Sequence, residues 1–244
     1  MTTSKRRKVV TVAVLCLVCA ASFTAVAWHF SELTPATVAH AGGAYKGNLY
    51  TNSMEALDNS YRKGFRHFEL DLLVNQEGNI VCGYHSKKGT RNDPGTTPCT
   101  GKLLQDWLLA RPGTSIITDT KGSTKQLYKA ILKMSEPVKE QIIVQTYKKS
   151  DYKAAKIFGF DRLYLSFYRH PDKEEENIAL LKERQRDFEA VVIPHRKILT
   201  TGTKIRGLIE KHTDIYIHTI NDRDTKRRIQ KKYKYGVYTD TLTP

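Results

Sequence analysis

The 244-residue chain contains 40 Lys and Arg against 25 Asp and Glu, a formal net charge of +15, and is 40% hydrophobic. This length and apolar content suffice for one sizeable core and fit a single domain of the larger α/β kind. The cationic surplus favours anionic partners. Because the sequence has no nucleic-acid recognition motif, we do not expect a nucleic acid to be that partner.

The N-terminal segment has the pattern of a membrane signal. Four cations occupy positions 5–8, and an uncharged apolar stretch runs from Val9 to Trp28, about the length of a bilayer-spanning helix. We predict a basic cytoplasmic tail (1–8), a transmembrane signal-anchor (9–28), a linker (29–35) and a domain outside the cytoplasm (36–244), held at the inner (cytoplasmic) membrane by a single pass. A cleaved secretory signal is the alternative, since Ala25-Val26-Ala27 resembles a signal-peptidase site; the domain would then be secreted or periplasmic.

The four cysteines divide into two pairs. Cys16 and Cys19 lie in the apolar segment and are interpreted as small hydrophobic residues. Cys82 and Cys99 lie in the domain outside the cytoplasm, where an oxidising compartment permits a disulfide. Their spacing allows this bond but does not establish it.

Eight short β-branched runs recur along residues 36–244, most of them separated by segments with helical spacing. The segment "SMEALDNSYRKG" has a helical apolar pattern stopped by Gly64, and "NDRDTKRRIQKKYKYG" has early acids, late cations and Gly236 at its end. Alternating strands and helices predict a parallel sheet, and eight units predict a (β/α)8 TIM-type barrel. Its active site would lie where the strands end, and each run ends on a polar side chain: His40, Asp71, Asp119, Gln145, Ser166, His195, His218 and Asp240.

A ninth run, "NIVCGYH", follows the second strand too closely for a parallel crossover. We interpret it as the return arm of a β-hairpin inserted after that strand. If the turn centres near Gly78, position 71 faces position 85. Alternation then places Glu69, Asp71 and His85 on one face of the hairpin.

These residue types together indicate phosphodiester cleavage. Two buried carboxylates, Glu69 and Asp71, require a cation, and Ca²⁺ or Mg²⁺ with Asp119 as a third oxygen ligand would satisfy them. Lys121 lies two residues further along to counter anionic charge. His40 and His85 suit general base and general acid roles near neutral pH. Taken singly, the two carboxylates could form a structural ion pair, His85 could be a core histidine, and Lys121 could be a solvated charge.

The sequence resembles the glycerophosphodiester phosphodiesterases over residues 36–244. "HAGG" resembles the family's His-Arg-Gly, "YTNS" its Pro-Glu-Asn-Thr, and "ELDLLVNQEGNIVCGYH" its Glu-Leu-Asp motif followed by Asp-Gly and a strand ending in His. "DTK" resembles the family's Glu-x-Lys, "IIVQTY" its Gln-Ser-Phe strand, and "HTINDRD" with "YTDTLTP" its closing motifs.

This resemblance implies His40 and His85 as the acid–base pair and Glu69, Asp71 and Asp119 as metal ligands. By the same resemblance and their predicted place in the mouth, Asn52, Gln145, His218 and Lys121 would contact a phosphodiester or lipid-derived substrate. We therefore expect a phosphoric diester hydrolase acting on a glycerophosphodiester, a phospholipid head group or a phosphate-linked envelope polymer.

Several positions depart from the family pattern. Ala41 replaces the family's phosphate-binding arginine, Thr51 replaces a glutamate associated with the metal, and Asp119 is shorter than the family's glutamate by one methylene. The basic loop after His85 could supply the missing charge from Lys87, Lys88 or Arg91, although a lysine does not offer the same two-pronged geometry to phosphate. These departures leave open an alternative, in which the chain is an inactive membrane-anchored barrel that binds an anionic envelope ligand or partner. The sequence does not indicate an oligomeric state.

Overall fold

Eight parallel strands close into a barrel in the computed structural model, which describes residues 36–83, 95–209 and 213–244 and the backbone of 85–86 and 89–90. The strands are β1 (Thr37–Ala39), β2 (His67–Val74), β3 (Ile80–Cys82), β4 (His85–Ser86), β5 (Gly89–Thr90), β6 (Ser115–Thr120), β7 (Ile142–Thr146), β8 (Leu163–Ser166), β9 (Ala190–Pro194), β10 (Asp214–His218) and β11 (Gly236–Thr239).

The sheet order is β1-β11-β10-β9-β8-β7-β6-β2, and pairing of β1 with β2 closes the ring. Every pair in this ring is parallel, which confirms the predicted barrel. The predicted membrane segment, 9–28, lies outside the described residues. Within the described part of the chain, no helix has the length and apolar character needed to span a bilayer.

Helices follow most of the barrel strands and cover the outside of the ring. They are α1 (Met54–Arg62), α2 (Gly101–Leu109), α3 (Thr124–Ile131), α4 (Glu136–Lys139), α5 (Lys149–Ile157), α6 (Glu174–Arg184), α7 (Thr201–Arg206) and α8 (Arg223–Tyr233). Short 3-10 turns occur at His40–Gly42, Pro171–Lys173, Gln185–Asp187 and His195–Lys197.

Local sequence explains where the first and last helices begin and end. The Ser53 hydroxyl caps α1 by accepting from the Ala56 amide, and the Asp222 carboxylate caps α8 in the same way. Helix α8 ends at Tyr233, where Lys234 adopts a left-handed conformation, and not at Gly236 as predicted. Gly236 instead lies in β11, where a Cβ would come within 2.4 Å of the Tyr216 ring. The glycine is required there by close packing.

Apolar side chains fill the barrel below a layer of polar ones. The lower layer is buried and consists of Val38, Ile117, Ile143, Tyr164, Ala190, Val192, Tyr216 and Tyr238. Side chains alternate along a strand, so residues two positions later point into the barrel again, nearer its mouth. Glu69, Asp71 and Asp119 are buried polar members of the barrel wall.

The hairpin predicted after β2 is present, because β3 pairs with β2 in antiparallel fashion. Its register differs from the prediction. Leu72 pairs with Cys82, and the Gly83 amide donates to the Asp71 carbonyl at 2.8 Å, so position 71 faces 83 and not 85. The reason is a turn that starts at Asn75, whose carbonyl accepts from the Gly78 amide, so that Gly78 closes the turn instead of centring it.

The chain leaves β2 after this hairpin. The backbone of His85 lies in β4, which pairs with β5 in a separate two-stranded sheet. A disulfide joins Cys82 in β3 to Cys99, two residues before α2. The bond ties both ends of the segment that carries His85 to the barrel wall.

Candidate active site

Three buried carboxylates meet at the mouth of the barrel. Asp71 on β2 and Asp119 on β6 are direct partners in the parallel register, and Glu69 precedes Asp71 by two residues on the same face. Their exposed fractions are 2% for Glu69, 6% for Asp71 and 4% for Asp119. One oxygen from each lies within 4.8 Å of the others, so this acidic cluster can hold a metal ion.

Lys121 and Asn52 fix the two aspartates. The Lys121 Nζ lies 2.7 Å from Asp71 Oδ1 and 2.8 Å from Asp119 Oδ2. Burial alone would lower the pKa of Lys121, but the charges of Asp119 and Asp71 outweigh it and raise that pKa. Asn52 donates to Asp71 Oδ2 at 3.1 Å and accepts from the Asp71 amide at 2.9 Å.

Of the two carboxylate oxygens of Glu69, one has a hydrogen-bond partner among the described residues and the other has none. Its Oε2 accepts from the Ala41 amide at 2.9 Å, whereas its buried Oε1 has no hydrogen-bond partner among the described residues. Burial, opposed by His40 but reinforced by the charges of Asp71 and Asp119, raises the pKa of Glu69. A buried acceptor without a donor and an excess of negative charge are both relieved by a cation. The donor set therefore fits a metal ion bound by oxygen ligands.

His40 lies beside this cluster in the turn that follows β1. Its Nδ1 is 2.7 Å from Asp240 Oδ1, and its Nε2 is 3.6 Å from Glu69 Oε2. The Asp240 backbone amide donates to Asn221 Oδ1 at 2.8 Å, which fixes the position of Asp240. Burial lowers the pKa of His40, but the hydrogen bond to Asp240 and the charge of Glu69 outweigh it, so the net pKa is raised. Asp240 thus orients the imidazole and favours its protonated form.

His218 is a second imidazole at the same mouth, with its ring 4.5 Å from that of His40 in an edge-to-face arrangement. Burial, together with the neighbouring His40 charge, lowers the pKa of His218 to about 3. His218 is therefore neutral at physiological pH. The ring of Tyr168 stacks on it at 5.0 Å, and Tyr50 lies 4.9 Å from the His40 ring.

Tyr147 and Arg169 complete the wall around Asp119 and were not predicted from the sequence. The Tyr147 hydroxyl donates to Asp119 Oδ1 at 2.6 Å and accepts from Gln145 Nε2 at 2.6 Å. Arg169 Nη2 lies 2.6 Å from the same Asp119 oxygen. Tyr147 directly follows β7 and is the last residue of "IIVQTY", the segment that resembles the family's Gln-Ser-Phe strand, which was a usable signal. Arg169 lies in a loop three residues after β8, where no pattern singled it out.

The other predicted residues have mixed outcomes. The backbone of His85 is in β4, but its side chain lies outside the described residues, so its role stays a prediction. Thr51, where the resembling family has a glutamate, is buried and bonds to the Ser53 hydroxyl at 3.1 Å. His195 is exposed in a 3-10 turn and shows no described contact with the acidic cluster.

Comparison with known proteins supports the fold. No protein-family model and no curated protein sequence matches this chain. Several solved structures do. The glycerophosphodiester phosphodiesterase of Thermotoga maritima aligns with a TM-score of 0.66 and 16% identity, covering 84% of this chain and 94% of that protein. A putative glycerophosphodiester phosphodiesterase of Galdieria sulphuraria aligns with a TM-score of 0.66 and 14% identity over 85% and 94%.

A phosphodiesterase of Oleispira antarctica, in complex with the product sn-glycerol-3-phosphate, aligns with a TM-score of 0.61 and 14% identity over 86% and 94%. The sequence identities to these proteins are low, but the alignments cover 94% of the length of each of the three known proteins. The resemblance inferred from the motifs is therefore confirmed for the fold: this chain has the barrel fold of the glycerophosphodiester phosphodiesterases.

Proposed function

We propose that this chain is a metal-dependent phosphoric diester hydrolase that cleaves a glycerophosphodiester. The observation that carries the proposal is the acidic cluster of Glu69, Asp71 and Asp119 beside the Asp240-bound His40 at the barrel mouth. The solved phosphodiesterase with sn-glycerol-3-phosphate has the same fold, which supports a substrate containing a glycerol phosphate. A phospholipid head group and a phosphate-linked envelope polymer share this chemistry and are the alternative substrates.

Ca²⁺ or Mg²⁺ is the proposed cofactor, because the cluster offers only carboxylate oxygens. Glu69, Asp71 and Asp119 would hold it, and one ligand would be Glu69 Oε1, which has no hydrogen-bond partner in the part of the chain that the structure describes. When bound, such an ion neutralises charge on the phosphoryl oxygens. Lys121, between Asp71 and Asp119, adds a second positive charge at the same place.

His40 is the proposed general base. Because Asp240 binds Nδ1, the imidazole keeps Nε2 turned toward the acidic cluster, where a substrate binds. A water, or a substrate hydroxyl next to the phosphate, gives its proton to Nε2 as it attacks phosphorus. The bond to the leaving alkoxide breaks, and that alkoxide takes a proton from a second group.

His85 is the proposed second group. His218 is a weaker candidate, because a pKa of about 3 keeps its imidazole uncharged at neutral pH, and an uncharged imidazole is a poor general acid. Its proposed role, and that of Asn52, is to line the substrate site. The proposed location is outside the cytoplasm, with a membrane anchor at positions 9–28.

Hydrolysis by the purified, detergent-solubilised chain tests this proposal. The substrates are bis(p-nitrophenyl) phosphate and glycerophosphocholine, each with added Ca²⁺ or Mg²⁺ and with EDTA. We expect activity that requires the metal and is lost in His40→Ala. Asp224→Asn, a change on the exposed face of α8, is the matched control and should leave activity unchanged. Metal-dependent ligand binding without turnover of any substrate would instead support the inactive binder.

A further inference from the structure

We propose that the Arg169 guanidinium binds the phosphoryl group of the substrate. It would thereby supply the phosphate-binding cation that the turn containing His40 and Ala41 lacks. This inference rests on the proposed function. Arg169 lies in the loop that follows β8, so it belongs to the mouth of the barrel. In the order of strands β8 lies opposite β1, which carries His40 at its end. Arg169 and His40 therefore approach the acidic cluster from opposite walls.

The guanidinium of Arg169 is held in place by several neighbours. Its Nη2 lies 2.6 Å from Asp119 Oδ1, and its Nη1 donates to the Thr120 carbonyl at 2.6 Å. Its central carbon lies over the Tyr147 ring, 4.6 Å from the ring centroid. A hydrogen bond to the Tyr168 side chain adds to these contacts. Together they hold the guanidinium in one orientation, so little side-chain freedom is lost when a ligand binds.

Part of the Arg169 side chain stays exposed to solvent. Its side chain is 26% exposed, against 11% for Lys121, whose ammonium lies between Asp71 and Asp119. Within the described part of the chain, Lys121 and Arg169 are the Lys or Arg side chains in ion-pair contact with the acidic cluster. Arg169 is thus the better placed of the two to meet an incoming anion.

The turn after β1 offers no alternative cation. Ala41 is fully buried and has a positive φ of 49°, and its amide is committed to Glu69 Oε2. A planar guanidinium can bind two phosphoryl oxygens at once, which a lysine ammonium cannot do with the same geometry. Because Arg169 and His40 lie on facing walls, the phosphorus atom would lie between the Arg169 guanidinium and the His40 imidazole.

A purely structural role, in which Arg169 only positions Asp119, makes a different prediction. In that case loss of Arg169 would weaken metal binding and lower kcat, while the metal-saturated protein would bind phosphate normally. If Arg169 touches the phosphoryl group, the loss appears in phosphate affinity and in KM even at saturating metal. The two roles are therefore separable by measuring anion binding directly.

The experiment compares the full chain with Arg169→Gln, Arg169→Lys and the control Arg62→Gln, whose exposed side chain lies in the last turn of α1 at the other end of the barrel. Thermal-shift titrations with inorganic phosphate and with sn-glycerol 3-phosphate are made at saturating Mg²⁺ or Ca²⁺. Steady-state KM and kcat are measured on glycerophosphocholine.

We expect Arg169→Gln to weaken phosphate binding and raise KM by about 10- to 100-fold, the range for a lost charge-assisted hydrogen bond. Arg169→Lys should recover part of this affinity, and Arg62→Gln should match the wild-type protein. Phosphate affinity of folded Arg169→Gln within twofold of wild type would overturn the inference, and so would wild-type protein that binds no phosphate. If wild type binds phosphate through Arg169 but hydrolyses no diester, the proposed function fails and the phosphate site stands.

Discussion

Replacing Asp240 with Asn removes the negative charge that supports His40 while nearly keeping the shape of the side chain. The Asp240 Oδ1 lies 2.7 Å from His40 Nδ1, and both residues are buried. When His40 accepts a proton during attack, the new imidazolium is stabilised by this carboxylate. An amide at the same place can accept a hydrogen bond but offers no charge.

The size of the effect follows from that one contact. A hydrogen bond to a charged group contributes about 1.5–3 kcal/mol, and each 1.36 kcal/mol of lost transition-state stabilisation slows a reaction about tenfold. We therefore expect Asp240→Asn to lower kcat by about 10- to 100-fold with little change in KM. The hydrogen bond to Asp240 also raises the pKa of His40, so its loss should shift the acid limb of the pH–rate profile to lower pH.

The assay is the pH dependence of kcat for glycerophosphocholine hydrolysis at saturating metal, for wild type, Asp240→Asn and the exposed control Asp224→Asn. The double variant His40→Ala with Asp240→Asn separates positioning from a general loss of structure. Since Asp240 acts through His40, the double variant should be no slower than His40→Ala alone. A kcat for Asp240→Asn within threefold of wild type, with an unmoved acid limb, would refute the reasoning.

Three further predictions concern stability. Changing Cys82 and Cys99 to Ser should lower the free energy of unfolding in urea by about 3 kcal/mol, as expected for a cross-link spanning 17 residues. Reduction of the wild-type protein should lower it by the same amount, and a loss below about 1 kcal/mol would contradict this. Burial lowers the pKa of His67 in the folded protein. As the pH falls below 6.5, His67 is therefore protonated in the unfolded chain before it is protonated in the folded one, and the folded protein loses stability that it has above that pH. His67→Gln should lose less stability between pH 7.5 and pH 5 than wild type, and equal urea midpoint shifts would be evidence against that assignment. Gly236→Ala should destabilise the barrel by about 1–3 kcal/mol in thermal unfolding, because its Cβ would overlap the Tyr216 ring and a backbone carbonyl. Gly207→Ala is the control and should have little effect, because its Cβ would meet a carbonyl only at 3.8 Å.

The barrel could be predicted because its signals are local. Each strand is a short β-branched run and most are followed by a capped helix, so the element order emerges without knowledge of distant contacts. The acidic cluster follows from the same logic. Glu69 and Asp71 share a face by alternation, and parallel neighbours bring their strand ends together, so Asp119 joins them.

Features that depend on turns or on distant contacts were harder to predict. The register of the β2–β3 hairpin is set by the turn that starts at Asn75, and composition alone placed the centre too late. Asp240 meets His40 only because β11 closes the barrel against β1, a contact across 200 residues. Arg169 projects from an irregular loop, where neither alternation nor helical spacing fixes the direction of a side chain.

Metal titration of the metal-depleted protein tests the central claim most directly, that the acidic cluster and His40 act together on a phosphodiester. Hydrolysis of glycerophosphocholine and the thermal shift caused by the metal are followed in wild type, His40→Ala and Glu69→Gln. We expect no activity without metal and a saturable rise in activity in wild type as metal is added. His40→Ala should show the normal thermal shift without activity, and Glu69→Gln should show neither the shift nor activity. Equal rates with and without EDTA, or wild-type turnover by His40→Ala, would contradict it.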